Sequence, residues 1–367
     1  MRNLMTVLAA IAVLLASTIQ IGADHKALLI ELDRRSSALP AAMSASGAVV
    51  AGVINDTLNA FYWMPTTGLV FAGGVAANAV SRDGRTIVGS AKDSRSVTQA
   101  AIWLRASEWR LLGSFPNAEP CDASLGLATG VSSDGEVVVG SARNGCTFAR
   151  AFRWTESTGM VDLGSSVEGR TSLATGVSAD GMVVVGYQTR ADGFQQGARW
   201  VGNRQEPIPS APGGVGYVGS AMATNRDGSI VVGRVCVPGI NILQSAWVWR
   251  AQGGTTCMPP PQIRPSPGPL IIVEAAATSD DGQVIGGSQN VGGSPDSNAV
   301  IWIDGRPAYL KDFLRANGVP NAFEGWPNTG TVTAISPDGR VLIGWGAAPL
   351  GFRGYMVILG SSRVMPS

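Results

Sequence analysis

Six aspartates stand at the same place in a recurring stretch of this chain, each followed directly by glycine: Asp83, Asp134, Asp180, Asp227, Asp281 and Asp338. A carboxylate on a tight turn suggests a calcium loop. Calcium takes about six to eight oxygens, and one aspartate per isolated turn falls far short. An acidic box of the form S-x-D-x-G-x-T-W is also excluded, because glycine here follows the aspartate without a spacer. The remaining loop carboxylates, Asp56, Asp93, Asp192 and Asp296, share no spacing. They could pair for glycoside cleavage only if the fold gathered them. The single histidine, His25, lies near the N-terminal end, so neither a Ser-His-Asp machine nor a zinc site has its imidazole. No nucleotide or cofactor motif is present, and we expect neither cofactor nor metal.

Six tryptophans also recur in step: Trp63, Trp103, Trp154, Trp200, Trp249 and Trp302, in NAFYW, QAAIW, ARAFRW, GARW, SAWVW and NAVIW. A fixed place in a fixed segment reads as core. Trp109, Trp247, Trp326 and Trp345 break the pattern and are the better candidates for exposed binding aromatics. Trp345 is placed at the start of a loop, directly after Gly344.

The elements that must position these residues come from the repeat itself. The probe S-x-D-G, four residues, G finds seven copies: SASGAVVAG (degenerate, from Ser44), SRDGRTIVG, SSDGEVVVG, SADGMVVVG, NRDGSIVVG, SDDGQVIGG and SPDGRVLIG. Their turn glycines are 37 to 57 residues apart, a period that signals a repeat architecture. Each unit reads as four strands: a small apolar one, a Val/Ile run ending in Gly, a Trp-bearing one and a short last one. Asp-Gly between the first two predicts a hairpin whose turn takes positive φ. A continuous Val run is a strand covered on both faces, which one unit cannot achieve alone. The expectation is an all-β, seven-bladed β-propeller of four-stranded antiparallel blades. The repeat cores are 41–73, 77–115, 127–166, 173–210, 220–258, 273–310 and 331–360. The seventh copy has Val357 in the tryptophan's place and no fourth strand, while KALLIELDR (26–34) is strand-like and unassigned. An N-terminal strand completing the last blade accounts for both. LKDFLRA (310–316) predicts a short helix, with Gly318 near its end.

Composition agrees: 45% apolar residues, only 14% charged, and 48 glycines suit short strands and tight turns. The 27 Lys and Arg almost balance 26 Asp and Glu, so no net field draws nucleic acid. Arg2, then an apolar run from Leu4 to Ala16 and small residues to Ala23, has the layout of a secretory signal peptide, residues 1–23. A retained anchor is the alternative. The run is short for a span, so we expect cleavage and a secreted or periplasmic single domain, 24–367, without integral membrane insertion. Export favours disulfides. Of three pairings for four cysteines, the near one joins Cys121 to Cys146 and Cys236 to Cys257.

The repeat resembles the HAF-repeat family of predicted bacterial extracellular proteins, A-x-x-V-S-x-D-G-x-x-V-V-G, then H-A-F-x-W, then G-M-x-D-L-G. Residues 127–164 match it best, with Arg150 at the family's histidine. No unit keeps that histidine. The resemblance implies export and a repeat fold, and no reaction.

In such blades the Asp-Gly turns share one face of the disc, and the variable second-to-third loops and blade links share the other. Variable loops on a rigid scaffold are where binding sits. The candidate ligand residues are Asp56, Lys92, Asp93, Arg95, Arg143, Asn144, Arg190, Asp192, Asn241, Asp296 and Trp345. Both cysteine pairs fall on that face. The expected function is a secreted, monomeric binding protein for a protein or glycan ligand. An extracellular carbohydrate-active enzyme using loop carboxylates near the axis is the alternative, and a passive envelope assembly protein a third.

Overall fold

A computed structural model of the chain describes residues 26–33, 36–104, 108–116, 126–143, 148–202, 204–212, 218–236, 243–261, 271–291, 297–360 and 364–366. The signal segment 1–23, His25, Cys121, Cys146, Asn144, Asn241 and Asp296 lie outside the described residues. The fold is an all-β propeller. Its strands form five four-stranded antiparallel sheets and one eight-stranded sheet, which is two sets of four joined by a short parallel contact of Leu243–Gln244 with Ile271–Ile272.

Taken as blades with strands a to d from the inside out, the first is Ala38–Met43, Val50–Ile54, Asn59–Met64 and Gly68–Gly73. The second is Ala76–Val80, Thr86–Lys92, Thr98–Leu104 and Arg110–Leu111. Blade 3 runs through Gly126–Val131, Val138–Arg143, Ala149–Thr155 and Gly159–Asp162, and blade 4 through Ser172–Val177, Val183–Thr189, Gln195–Val201 and Arg204–Pro207. Blade 5 has Ala221–Thr224, Ile230–Cys236, Leu243–Arg250 and Gly254–Met258. Blade 6 has Ile271–Thr278, Val284–Val291, Ser297–Ile303 and Arg306–Tyr309, followed by the helix Leu310–Ala316. Blade 7 has Asn328–Ile335, Val341–Ala348 and Gly351–Leu359, and its outer strand is Ala27–Glu31 from the other end of the chain. That strand pairs antiparallel from Ala27–Leu359 to Glu31–Tyr355, and the Gly360 N–H donates to Lys26 O at 2.8 Å. The N-terminal strand therefore closes the ring.

The turn motif works differently from the two-residue hairpin that Asp-Gly predicts. Only the glycine takes positive φ, from 67° to 82° across the copies, and the loop is four residues long. Serine closes it. The Ser178 N–H donates to Val183 O, its hydroxyl accepts from the Val183 N–H at 2.9 Å, and the same hydroxyl donates to Asp180 Oδ1 at 2.6 Å. Asp180 in turn accepts from the Met182 N–H at 3.0 Å. In blade 5, Asn225 takes the serine's place and accepts from the Ile230 N–H. The turn glycine packs on the preceding blade: a Cβ on Gly181 would lie 2.5 Å from Val137 Cγ2.

The last glycine of the motif has a second cause. Each strand a carries a register shift against strand b, at Ala41, Asn78, Thr129, Thr175, Met222, Ala276 and Thr333. The bulge turns a strand a carbonyl onto strand b. A Cβ on Gly186 would sit 2.0 Å from Leu173 O, and the equivalent glycines meet their carbonyls at 1.8 to 2.3 Å.

The apolar core is divided between neighbours. Each buried cluster joins two consecutive blades, from Trp103 between blades 1 and 2 and Trp200 between blades 3 and 4 to Trp63 between blades 7 and 1. The six repeated tryptophans are buried, and Val357 fills the corresponding place between blades 6 and 7.

Two measurements test this packing. Gly186→Ala has no room to relax and should destabilise by about 3 kcal/mol or more, whereas Gly176→Ala, with nothing nearer than 3.5 Å to its Cβ, should cost far less in a denaturant melt. Ile30→Pro removes a ladder donor from the closing strand, because the even-numbered residues from Lys26 to Leu32 face the partner strand. It should lower the melting temperature more than a proline at the exposed tip residue Asp56.

Candidate functional site

The seven inner strands converge on the axis, and the bulges decide what they show there. The bulged residue and the one after it from every blade line a cavity of about 280 Å³. Thr129 Oγ1 donates to Ala174 O, Thr175 Oγ1 to Ala221 O, Thr333 Oγ1 to Pro40 O and Asn78 Nδ2 to Ala128 O, at 2.8 to 3.0 Å. Each bond runs from one blade to the next. A second cavity, of about 230 Å³, shares Val131, Val177, Thr224, Thr278 and Ile335 with the first and continues it toward the Asp-Gly face.

The mouth of this bore is a ring made by the variable residue of S-x-D-G: Ala45, Arg82, Ser133, Ala179, Arg226, Asp280 and Pro337. Their backbones are bonded in sequence around the axis. The Ala45 N–H donates to Arg82 O, Arg82 to Ser133, Ser133 to Ala179 and Ala179 to Arg226, at 2.8 to 3.3 Å. Asp280 varies the pattern. Its Oδ1 accepts the Arg226 N–H, Asn225 Nδ2 donates to its carbonyl, and its own N–H donates to Pro337 O. Pro337 has no N–H, so the chain of bonds stops where blade 7 meets blade 1.

The sequence expectations fare unevenly on the loop face. Asp93 accepts the N–H groups of Arg95 and Val97 within its own loop and pairs with Arg95. Asp192 likewise accepts from the Phe194 N–H and pairs with Arg190 at 2.9 Å. The Val97 N–H and the Arg190 side chain are the leading causes that hold Asp93 and Asp192, respectively, below the usual carboxylate range. Each acid is thus occupied by its own hairpin. Asp56 and Lys92 are exposed and Arg143 half-buried, each on its own blade. Among the described residues, no three His, Cys, Asp or Glu side chains group to hold a metal. Cys236 and Cys257 are joined in a disulfide, tying the end of strand b to strand d in blade 5.

Two aromatic expectations are corrected. Trp247 is fully buried, its indole N–H donating to Arg234 O at 2.8 Å, because the bulged end of strand b in blade 5 covers it. Trp345 does not begin a loop. Strand b of blade 7 continues to Ala348, pairing Trp345 with Gly354, and its ring lies edge-on to Phe352 with centroids 5.4 Å apart. Trp109 is half-buried, donating to Ala72 O, and Trp326 packs on Phe323 and Tyr355. The residues that sequence reasoning missed are those at the mouth, Arg82 and Arg226 foremost. Their signal was the second position of the motif, which runs through Ala, Arg, Ser, Asp and Pro from copy to copy.

No family model matches the chain, and no curated protein sequence matches it. Solved structures do. An oligogalacturonate lyase in complex with manganese is 12% identical, with a TM-score of 0.56 over 92% of this chain and 95% of that one. An oligogalacturonate lyase from Vibrio parahaemolyticus is 12% identical, with 0.54 over 94% and 97%. TolB from Acinetobacter baumannii, at 13% identity and 0.47, is matched by 71% of this chain over 62% of its own, so this chain spans less than two thirds of that protein. The likenesses above 0.5 show the propeller fold alone.

The turn aspartates set a pH dependence. The Ser132 and Ser178 hydroxyls, ahead of the backbone N–H groups, hold Asp134 and Asp180 below the usual carboxylate range. A depressed folded pKa gives stability that is present above the unfolded value of about 3.9 and lost as pH falls through the folded one. The double change Asp134→Asn and Asp180→Asn should therefore shrink the drop in melting temperature between neutral and acidic buffer. An unchanged drop would show that these bonds carry none of it.

Proposed function

We propose that this chain is an exported β-propeller that binds a ligand on its loop-bearing face without turning it over. The observation that carries this reading is the occupation of the loop acids: Asp93 and Asp192 each spend their oxygens on their own loop's N–H groups and arginine. A glycosidase acid or base must face a partner carboxylate across the substrate, and these two close their own loops. The same face exposes apolar tips, with Leu58 and Phe194 each 62% exposed and Leu350 85% exposed. Such tips favour a protein over a glycan as the ligand, because apolar contact without hydrogen-bonding groups suits a protein surface. The signal-like first 23 residues, the disulfide Cys236–Cys257 and the HAF-type repeat support a secreted or periplasmic setting. No helix among the described residues is long and apolar enough to cross a membrane.

Photo-cross-linking residues at Leu350 and Phe194, compared with one at Arg340 on the opposite face, test the reading in the native host. Cross-links to one partner from the two loop positions, absent from the third, are the expected outcome. Release of reducing ends from any polysaccharide by the wild type, lost on changing Asp56, Asp93 or Asp192 to Asn, would replace binding by catalysis.

A further inference from the structure

Strand b of blade 5 does not end as the others do. In the other six blades strands b and c keep one register throughout their described length. In blade 5 the register slips between Arg234 and Cys236, so Val235 is bulged. Val235 has a φ of 64°, and among the described residues it is the only β-branched one at positive φ. A branched Cβ is strained there, and such a conformation persists only where its surroundings impose it.

The disulfide imposes it. Strands b and d flank strand c, and strands so placed lie roughly 9.5 Å apart in a sheet. Cys236 stands opposite Ser245 and Cys257 opposite Trp247, which offsets them further along strand c. Yet their Cα atoms are 5.5 Å apart. The end of strand b is therefore folded over the face of the sheet, and what it covers is Trp247. That ring is fully buried, with its indole N–H on Arg234 O at 2.8 Å. Arg234 is itself fixed: its N–H donates to Ser220 O, and its guanidinium pairs with Glu274 at 3.0 Å. The bend between a fixed Arg234 and a tethered Cys236 falls on Val235, whose carbonyl accepts the Gly219 N–H at 2.9 Å.

From this geometry we infer that Cys236–Cys257 is a redox latch. Oxidised, it holds the end of strand b over Trp247. Reduced, it lets Val235 return to the extended region, which breaks the Gly219–Val235 bond and uncovers the indole. Cys236 is 1% exposed and Cys257 half-buried, so a reductant reaches Cys257 first. A dithiol oxidoreductase supplies the chemistry. One of its thiolates attacks Cys257 Sγ, the S–S bond breaks, and the Cys236 sulfur leaves and takes a proton. Its second thiol then displaces Cys257, which also leaves as a thiol, and the reductant departs as its own disulfide. Two electrons and two protons pass to the protein. The latch follows from blade 5 alone. Its effect on a ligand rests on the loop-face reading, because strand b ends on that face.

The test uses the full, ligand-free chain with Cys121→Ser and Cys146→Ser, so that dithiothreitol acts on one pair. Reduction should speed hydrogen exchange at the Gly219 amide by about tenfold or more. It should also raise acrylamide quenching of tryptophan emission, an increase that Trp247→Phe abolishes. Cys257→Ser should show the fast Gly219 exchange without reductant. Val235→Gly relieves the strained φ of the oxidised form, so opening half of the disulfide should need a glutathione ratio about tenfold more reducing. Exchange at the blade 2 amides should stay as in the oxidised chain. Unchanged Gly219 exchange on reduction, unfolding of the whole chain, or a Val235→Gly equilibrium equal to the wild type would overturn the latch. No ligand enters these measurements, so failure of the loop-face reading leaves their outcomes untouched.

Discussion

Each inner strand holds one residue more than its partner can pair, and the rest of the architecture follows from that bulge. It swings a carbonyl onto strand b, which then tolerates only glycine, as at Gly186 beneath Leu173 O. It also aims one side chain per blade at the axis, where threonine or asparagine can reach the next blade's carbonyl. The crowded centre of the disc is thereby held by polar bonds, while the apolar clusters farther out hold each blade to its neighbours. Directional bonds fix the geometry near the axis, and burial of Trp, Val and Ile supplies most of the stabilisation.

The hydrogen-bonded ring is not continuous, and its gap coincides with the seam of the chain. Pro337 cannot donate toward Ala45, so blades 7 and 1 lack the bond that other neighbouring pairs make at the mouth. Thr333 still reaches Pro40 O at 2.9 Å, and the buried cluster around Trp63, Val341 and Met356 spans the same joint. The outer edge is closed by Ala27–Glu31. Closure thus rests on side-chain packing and one borrowed strand, with the axial backbone contributing least at this point.

Much of this was legible in the sequence because repetition multiplies weak local signals. A single S-x-D-G is an ambiguous turn; seven copies followed by an Ala-Trp segment specify a strand order, a core position and a missing outer strand. What stayed hidden is what depends on geometry between blades. The bulge leaves no mark in one copy, since Ala41, Asn78, Thr129 and Met222 share no residue type. Trp247 read as exposed because it departs from the repeat, yet such a departure can fill a gap just as well as face solvent. Loop aspartates looked like free acids because short-range capping by Val97 or Phe194 N–H groups is invisible without coordinates. The axial mouth was discounted for the uniformity of its turns, although one position within them varies from Ala to Arg to Pro.

The borrowed strand also sets an orientation. Strand c of blade 7 ends on the Asp-Gly face, where Leu359 bonds to Arg340 of the turn, and Ala27 pairs with that end. The chain therefore enters the disc at Lys26 on the same side as the mouth of the bore. Lys26 stands at the rim of that face, at the start of the outermost strand of blade 7, with the mouth at the centre of the same face. A tether at the N-terminal end would hold the disc with its bore toward the attachment surface and its variable loops facing outward.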